Sequence, residues 1–523
     1  MPASNDNLFA ALRAGFPADL DEVAIDSADG PAPRRYSWRD LDQASARIAN
    51  LLASLGLPEG ARVAVQTEKS PEALMLYLAV LRAGYVYLPL NTAYQASEIE
   101  YFIGNAEPGV VVCASKNLDW VSRIAADAGT QHVYTLDDDA TGSLLDRAAP
   151  FPAVHEPAVR KADDLAAILY TSGTTGRSKG AMLSHANLLS NAVTLKSYWG
   201  WQEGDVLIHA LPIFHVHGLF VASHGALLNG SRMIWFAKFD PKAVIARLPE
   251  ATVFMGVPTL YVRLLAEPGL TREACRHMRL FIAGSAPLLP ETFNEFRERT
   301  EHAILERYGM SETVMLTSNP YDPADGERRA GTVGFPLPGV RLRVMDYSNG
   351  PEGRFCDADE IGNIEVAGPN VFAGYWRMPE KTKEEFAVDA EGTRWFRTGD
   401  VGKVGADGVV SIVGRSKDLI ISGGYNVYPA EIEGYINEMP GVAESAVIGV
   451  PHPDFGEAVV AVVVPKAGQA VDGPAIASAL KGKIANFKVP KQVFVVDELP
   501  RNAMGKVQKK ALRDEHQGLF GKE

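Results

Sequence analysis

Hydrophobic and polar positions alternate along the chain in two rhythms, a helical repeat and short unbroken apolar runs. Leu41, Ala44, Ile48, Leu51, Leu52 and Leu55 recur at spacings that mark one face of a helix. Ser37 with Asp40 three residues later supplies a start resembling a capping box. RVAVQ follows as a short strand. Ser70-Pro71-Glu72 places an N-cap before a proline at the first helical position, which opens a helix through Leu81. YVYLPL and GVVVCAS then read as buried strands. Helices alternating with short apolar strands predict an α/β fold, with a large N-terminal domain of layered, mostly parallel sheets and helices.

From about Trp395 the texture changes. WFRTGDVGKV and VVSIVG form a hairpin pattern turning at Asp407-Gly408. A helix near PAEIEGYINEM, strands SAVIGV and AVVAVVV, a helix near IASALKGKIA and the strand QVFVV complete a small α+β domain. No linker rich in Pro, Gly and Ser separates the parts, so composition leaves their boundary open.

A chain of 523 residues exceeds what one compact core usually supports, so at least two domains are expected. Its net charge of -13 argues against a nucleic-acid partner. Anionic ligands would therefore need a local patch of Lys, Arg and backbone N–H working against the overall field. Cys113, Cys275 and Cys356 are widely spaced, with neither a CxxC pair nor neighbouring histidines, which fits a reducing compartment. The first residues lack a basic start followed by a long apolar run, and ALMLYLAVL is cut short by Arg82. A soluble cytoplasmic protein with no membrane partner is expected.

The chemistry begins at YTSGTTGRSKG, Tyr170 to Gly180, directly after the apolar LAAILY. Thr171, Ser172, Thr174 and Thr175 offer hydroxyls, Gly173 and Gly176 let backbone N–H approach a phosphate, and Lys179 adds charge. The same composition would suit a flexible surface turn. The Walker spacing of Gly, four residues and Gly-Lys-Ser/Thr is absent.

RYGMSE (307–312), RTGD (397–400), GRSKD (414–418), ISGGYNVYPAEIE (421–433) and PRNAMGK (500–506) follow in order. Together with the opening loop, this series resembles the adenylate-forming superfamily of acyl-CoA synthetases, luciferases and adenylation domains, over essentially the whole chain. The resemblance implies an adenylation domain, 1–416, and a small mobile α+β domain, 417–523, pivoting near Lys417. It implies a two-step reaction using ATP, Mg²⁺ and coenzyme A: a carboxylate attacks the α-phosphate, then a thiol takes the acyl group and releases AMP.

On this resemblance Lys506 carries the first step, by steadying charge as it moves toward the leaving pyrophosphate. Read alone, Lys506, Lys509 and Lys510 would be a solvated basic face. Glu312 and Thr171 would hold Mg²⁺ through hard oxygen donors. Tyr308 would stack on adenine, Asp400 would accept the ribose hydroxyls and Arg415 would contact the ribose–phosphate side. Ser285, Ala286, Glu306, Arg307, Gly309, Met310 and Ser311 would complete the nucleotide site. Gly423, Gly424 and Tyr425 would line the path of the CoA thiol.

The acid is set by the pocket. GVPTLYVRLL carries Arg263, FIAGSAPLL carries Ser285, and LIHALPIFHVHGLF carries His209, His215 and His217. A dicarboxylic acid needs a cation for its second carboxylate, and a guanidinium fork suits it. Spacing alone would equally place Arg263 on the wet side of a helix whose Leu260, Tyr261, Leu264 and Leu265 face the core. These segments with ERYGMSET resemble malonyl-CoA synthetases, which implies that Arg263 and Ser285 hold the distal carboxylate; His215 and Met310 are further expected near the acid. Ser311 stands where Thr is commoner in that group, and the hydroxyl is kept. The expected substrate is malonate or a similar small dicarboxylic acid such as methylmalonate, acted on by a monomer or homodimer. The alternatives are a short- or medium-chain fatty acyl or aryl acid ligase, which would follow if Arg263 faces solvent, and a stand-alone adenylation enzyme that loads a separate carrier protein. A catalytically dead nucleotide sensor is disfavoured by the joint presence of Lys179, Glu312, Asp400 and Lys506.

Overall fold

In a computed structural model of the chain, the Ser37 hydroxyl accepts the backbone N–H of Asp40, and Asp40 Oδ2 accepts that of Ser37 at 2.8 Å. This reciprocal cap starts the helix Trp38–Ser54, which buries Leu41, Ile48, Leu51 and Leu52. The structure describes residues 5–27, 34–171, 178–348, 350–423, 425–481, 483–502 and 505–521. Pro71 opens the helix Pro71–Arg82, every residue of which is buried. All-round burial explains why ALMLYLAVL is apolar on every face without being a membrane span. Among the described residues no helix is long and apolar enough to cross a membrane.

The chain divides into two compact units, one built from residues up to Ala330 with Pro336–Val340 and Ala367–Phe386, the other from Gly331–Phe335, Arg341–Val366 and Ala387 onward. In the first unit, one sheet runs through His132–Thr135, Val110–Cys113, Arg62–Gln66, Val86–Pro89 and Leu165–Thr171, all parallel. Lys179–Ser184 and Gly374–Tyr375 close it in antiparallel fashion. A second sheet holds Leu305–Met310, Leu280–Ala283, Val253–Gly256, Val206–His209, Arg232–Trp235 and Val23–Ser27 in parallel order, with antiparallel strands Val314–Ser318 and Arg34–Ser37 outside them. This is the layered, mostly parallel α/β architecture expected from the alternating pattern. Helices cover these sheets, which is why their strands are apolar runs and not alternating patterns.

The second unit carries two sheets of its own. Arg394–Val404 pairs antiparallel with both Gly362–Ala367 and Val410–Arg415. The long strands Val442–His452 and Gly456–Pro465 pair antiparallel, with Gln492–Val495 parallel at the side. Their side chains alternate: Val447, Val459, Ala461 and Val463 pack with the helices Pro429–Asn437 and Gly473–Leu480, whereas Ile448, Val450, Val460 and Val462 pack with Leu512 of Lys509–His516. The helix expected near IASALKGKIA ends at Leu480, because Lys481 already has extended backbone (φ -61°, ψ 128°).

Candidate active site

Leu165–Thr171 turns back into Lys179–Ser184, with Thr171 opposite Lys179. The expected phosphate loop is therefore a link between antiparallel strands, unlike the strand-to-helix turn of a Walker site. Its Ser172, Gly173, Thr174, Thr175 and Gly176 lie outside the described residues. Lys179 Nζ stands 4.4 Å from the centre of the Tyr375 ring and 3.5 Å from Glu385 Oε1.

RYGMSE occupies a second hairpin, between Leu305–Met310 and Val314–Ser318. Tyr308 pairs with Thr317, and a bulge follows at Gly309. A Cβ on Gly309 would come within 1.9 Å of the Val314 carbonyl oxygen, so only glycine fits this register. Val314 takes φ +56°, costly for a β-branched residue and of the kind that clusters at functional sites. Met310 and Ser311 are half-buried at the turn, and Glu312 is only 5% exposed. The Tyr375 hydroxyl donates to Glu312 Oε1 at 2.9 Å, and the Phe372 N–H donates to the Glu312 carbonyl at 2.8 Å.

Glu306 and Arg307 point into this unit's interior. Burial pushes the Glu306 carboxyl up to about 8, although Oε1 accepts the Leu288 N–H at 3.1 Å. Burial brings Arg307 down to about 9. Its guanidinium is packed against Gly284: a Cβ there would lie 2.3 Å from Nη1. Arg307 is 3% exposed, yet Nε and Nη2 find no hydrogen-bond partner among the described residues.

Next to Gly284, Ser285 takes φ +73° and its Oγ lies 3.5 Å from His217 Nδ1. Ala286 follows, half-buried. Burial, reinforced by the Arg307 charge, holds His217 well below the ordinary imidazole range, so it is neutral. His217 begins a π-helical stretch, His217–Ser223, whose Gly218 carbonyl lies 3.0 Å from His209 Nε2 and accepts Ser223 Oγ at 2.9 Å. His215 is half-buried, and its Nδ1 accepts the His217 N–H at 3.3 Å. Arg263 projects from the exposed side of the helix Pro258–Leu265, opposite the buried Tyr261, Leu264 and Leu265. Its guanidinium lies 4.8 Å from the Phe239 ring centre, and it shares no hydrogen bond with Ser285. Tyr261, on the same helix, is buried and donates to the Ile282 carbonyl at 2.7 Å. The structure thus groups Ser285, His217 and Arg307 and leaves Arg263 facing solvent.

The second unit carries the remaining expected residues. Asp400 and Arg415 are register partners, with Oδ1 to Nε at 2.7 Å. In the same sheet, fully buried Glu365 binds Arg343, Arg397 and Tyr347. Lys417 lies on the short helix Ser416–Asp418. Gly423 takes φ +59° and donates its N–H to the Phe455 carbonyl at 2.8 Å. Gly424 lies outside the described residues. Tyr425 is exposed and stacks on Phe487 at 4.6 Å, and Lys491 Nζ lies 5.1 Å from the Phe455 ring. Lys506 sits in a tight turn: its N–H donates to Asn502 Oδ1, and its carbonyl accepts the Asn502 N–H, both at 3.0 Å. Lys509 pairs with Glu433. Tyr375 emerges as a residue that the sequence pattern did not signal, and Arg307, expected only as part of the nucleotide site, emerges as a buried cation beside Ser285. Tyr375 has no local rhythm, and the burial of Arg307 depends on the close approach of Gly284.

A parallel-sheet unit carrying the Lys179 and Glu312 hairpins, joined in sequence to a small α+β unit, is the architecture of an adenylate-forming enzyme. Residues 17–376 match the AMP-binding enzyme family and residues 431–506 match the AMP-binding enzyme C-terminal domain; the chain belongs to this family. It is 33% identical to the malonate–CoA ligase of Arabidopsis thaliana, over 98% of this chain and 89% of that protein. It is 34% identical to a feruloyl-CoA synthase of an Amycolatopsis species, over 91% and 93% of the two chains. Among solved structures, ATP-bound MatB from Rhodopseudomonas palustris is 55% identical, with a TM-score of 0.94, over 99% of this chain and 100% of that one.

Proposed function

We propose that this chain ligates malonate to coenzyme A at the expense of ATP, through an acyl-adenylate. One malonate oxygen bonds to the α-phosphorus as pyrophosphate leaves. The CoA sulfur then bonds to the acyl carbon as AMP leaves. The likeness to relatives named malonate–CoA ligase supports the reaction, but relatives of similar identity named for an aryl acid mean that identity alone does not select the acid. The observation that carries malonate is Arg307. A buried guanidinium with unpaired N–H groups is costly unless an anion meets it. Beside Ser285 and neutral His217 it suits the distal carboxylate, which a fatty or simple aryl acid lacks. Arg263 is exposed, the condition that would have favoured a fatty acyl or aryl acid ligase had no other cation been available. Arg307 supplies that buried cation, and Arg263 is left as the one that first meets an incoming dianion. We assign it to capture of malonate and Arg307 to the buried end.

Lys179 is assigned to the pyrophosphate side, and Asp400 with Arg415 to the ribose. Lys506 is assigned to the charge that moves onto pyrophosphate in the first step. Glu312 and Thr171 offer hard oxygen donors that fit Mg²⁺, and among the described residues no cluster of three or more His, Cys, Asp or Glu could hold a metal without substrate. That donor set suits an ion that completes its shell on phosphate oxygens and neutralises charge there. Gly423 and Tyr425 are assigned to the CoA path, where Phe455, Phe487 and Lys491 add stacking surface and positive charge. Free cysteines, two of them buried, fit a reducing compartment such as the cytosol.

An AMP-release assay over acetate, malonate, methylmalonate, succinate and octanoate tests the reading. Malonate, with methylmalonate next, is expected to lead; a preference for octanoate would refute the assignment.

A further inference from the structure

Tyr375 touches both anion-handling elements of the first unit. The strand Gly374–Tyr375 pairs with Lys179–Ser184, so that Tyr375 faces Ala181. Its ring carries the Lys179 ammonium at 4.4 Å, and its hydroxyl donates to Glu312 Oε1 at 2.9 Å. One rigid side chain thus joins a cation to a carboxylate that lie on separate hairpins. The ring itself is fixed: it is 3% exposed, packs edge-on against Phe372 at 4.8 Å, and its backbone N–H donates to Thr382 Oγ1 at 2.9 Å. The Phe372 N–H holds the Glu312 carbonyl from the same segment. Glu385, at the end of that segment, completes the surroundings of Lys179 at 3.5 Å and also pairs with Lys381 at 3.0 Å.

From this geometry we infer that Tyr375 is a positioning residue, which sets the spacing between the pyrophosphate lysine and the metal-binding carboxylate. The inference rests on the assignment of Lys179 and Glu312 made above. Its two contacts use different parts of the side chain, and that makes them separable. The π face steadies Lys179 without taking up its N–H groups, because a ring quadrupole attracts an ammonium with no acceptor atom. Among the described residues, only the 3.5 Å Glu385 contact competes there with phosphate oxygens. The phenol O–H fixes one carboxylate oxygen of Glu312, which orients the other toward the ion. Tyr375→Phe removes only the second contact; Tyr375→Leu removes both.

The experiment titrates ATP into the full-length protein by calorimetry, with Mg²⁺ at a series of concentrations and with EDTA. For Tyr375→Phe, the Mg²⁺ concentration giving half of the metal-dependent gain in ATP affinity is expected to rise about tenfold, the usual reach of a hydrogen bond to a charged group. Its affinity for ATP in EDTA should stay at the wild-type value. For Tyr375→Leu, affinity in EDTA should also fall, by about fivefold, as the cation–π contact is lost. A Tyr375→Phe protein with wild-type Mg²⁺ dependence would overturn the inference, as would an equal loss with and without metal. Glu312→Gln is the control for the underlying assignment: if it leaves the Mg²⁺ dependence intact, the metal site itself is misassigned, whatever Tyr375 does. In the double variant Tyr375→Phe/Glu312→Gln, the effects on Mg²⁺ dependence should be non-additive. Simple additivity would mean that the two side chains act independently and would sink the inference.

Discussion

Asp400 Oδ1 lies 2.7 Å from Arg415 Nε, across a two-strand register that makes the two residues direct partners. The Asp400 side chain is 6% exposed and the Arg415 side chain 38%. The pair therefore presents a fixed carboxylate edge and a cation that is still accessible to a ligand. Arg415→Ala should leave Asp400 buried without this guanidinium and weaken AMP binding by about tenfold, within the range for charge-assisted hydrogen bonds. Arg415→Lys should recover only part of that, because an ammonium cannot reproduce the planar fork. Calorimetric titration with AMP reads both effects; wild-type affinity in Arg415→Ala would remove this residue from the nucleotide site.

Arg307 makes stability and activity pull in opposite directions. Replacing a buried guanidinium whose Nε and Nη2 lack hydrogen-bond partners with an apolar side chain of similar reach is often stabilising. Arg307→Met should therefore melt at a higher temperature than wild type when no ligand is present, and lose malonate-dependent AMP release. Malonate should raise the melting temperature of the wild type and leave that of the variant unmoved. A variant that melts lower in the absence of ligand, or that still turns over malonate, would contradict the role given to this residue.

Arg263 is exposed and stacked on Phe239, so Arg263→Leu should leave folding and ATP binding unchanged. Its effect is expected in the KM for malonate, which should rise by about tenfold or more, the cost of a lost charged hydrogen bond. Initial rates over a malonate series decide it. An unchanged KM would remove Arg263 from malonate capture and leave recognition of the second carboxylate to Arg307, Ser285 and His217.

The parts of this protein that were legible in the sequence are those set by neighbours along the chain. Ser37 and Asp40 lie three residues apart, and Pro71 sits at a helix start, so both caps follow from local chemistry. The strand runs near RVAVQ, YVYLPL and SAVIGV are readable because burial on both faces demands unbroken apolar sequence. What stayed hidden depends on distant pairings. Tyr375 meets Lys179 and Glu312 only because Gly374–Tyr375 joins Lys179–Ser184, far back along the chain. The Glu365 cluster with Arg343 and Arg397 likewise joins three strands. The motif spacing pointed to Arg307 as part of a nucleotide site, but only the packing of Gly284 against its guanidinium reveals a buried cation beside Ser285. The helix over IASALKGKIA was overextended because apolar periodicity continues past Leu480 while the backbone does not.

Glu306 gives a pH signature. Burial raises its carboxyl to about 8 from an ordinary value near 4.5, so the folded protein holds this proton where the unfolded chain has released it. Stability from this group is complete below about pH 4.5 and is withdrawn as pH rises through 8. Glu306→Gln keeps the oxygen that accepts the Leu288 N–H and cannot ionise. The variant should gain in stability relative to wild type as pH rises from 5 to 9, by an amount on the order of a few kcal/mol at the top of that range, read as a rising difference in melting temperature. Parallel melting curves at every pH would show that Glu306 is ionised in the fold, with Arg307 as its counter-charge.

Gly423 should separate the two half-reactions. Its φ of +59° costs an L-residue about 1 kcal/mol, too little to unfold the protein. A Cβ there would sit 3.8 Å from the Phe455 ring, ordinary contact distance, so Gly423→Ala is sterically tolerated inside the second unit. Gly423→Leu extends further, into the space assigned to the CoA thiol. Malonate-dependent exchange of pyrophosphate into ATP reports the first step alone and should stay within about twofold of wild type in both variants, as the small backbone cost implies. CoA-dependent AMP release should fall modestly in Gly423→Ala and collapse in Gly423→Leu. If exchange falls in step with AMP release, the glycine serves only its own turn, and the CoA path must be sought elsewhere in the second unit.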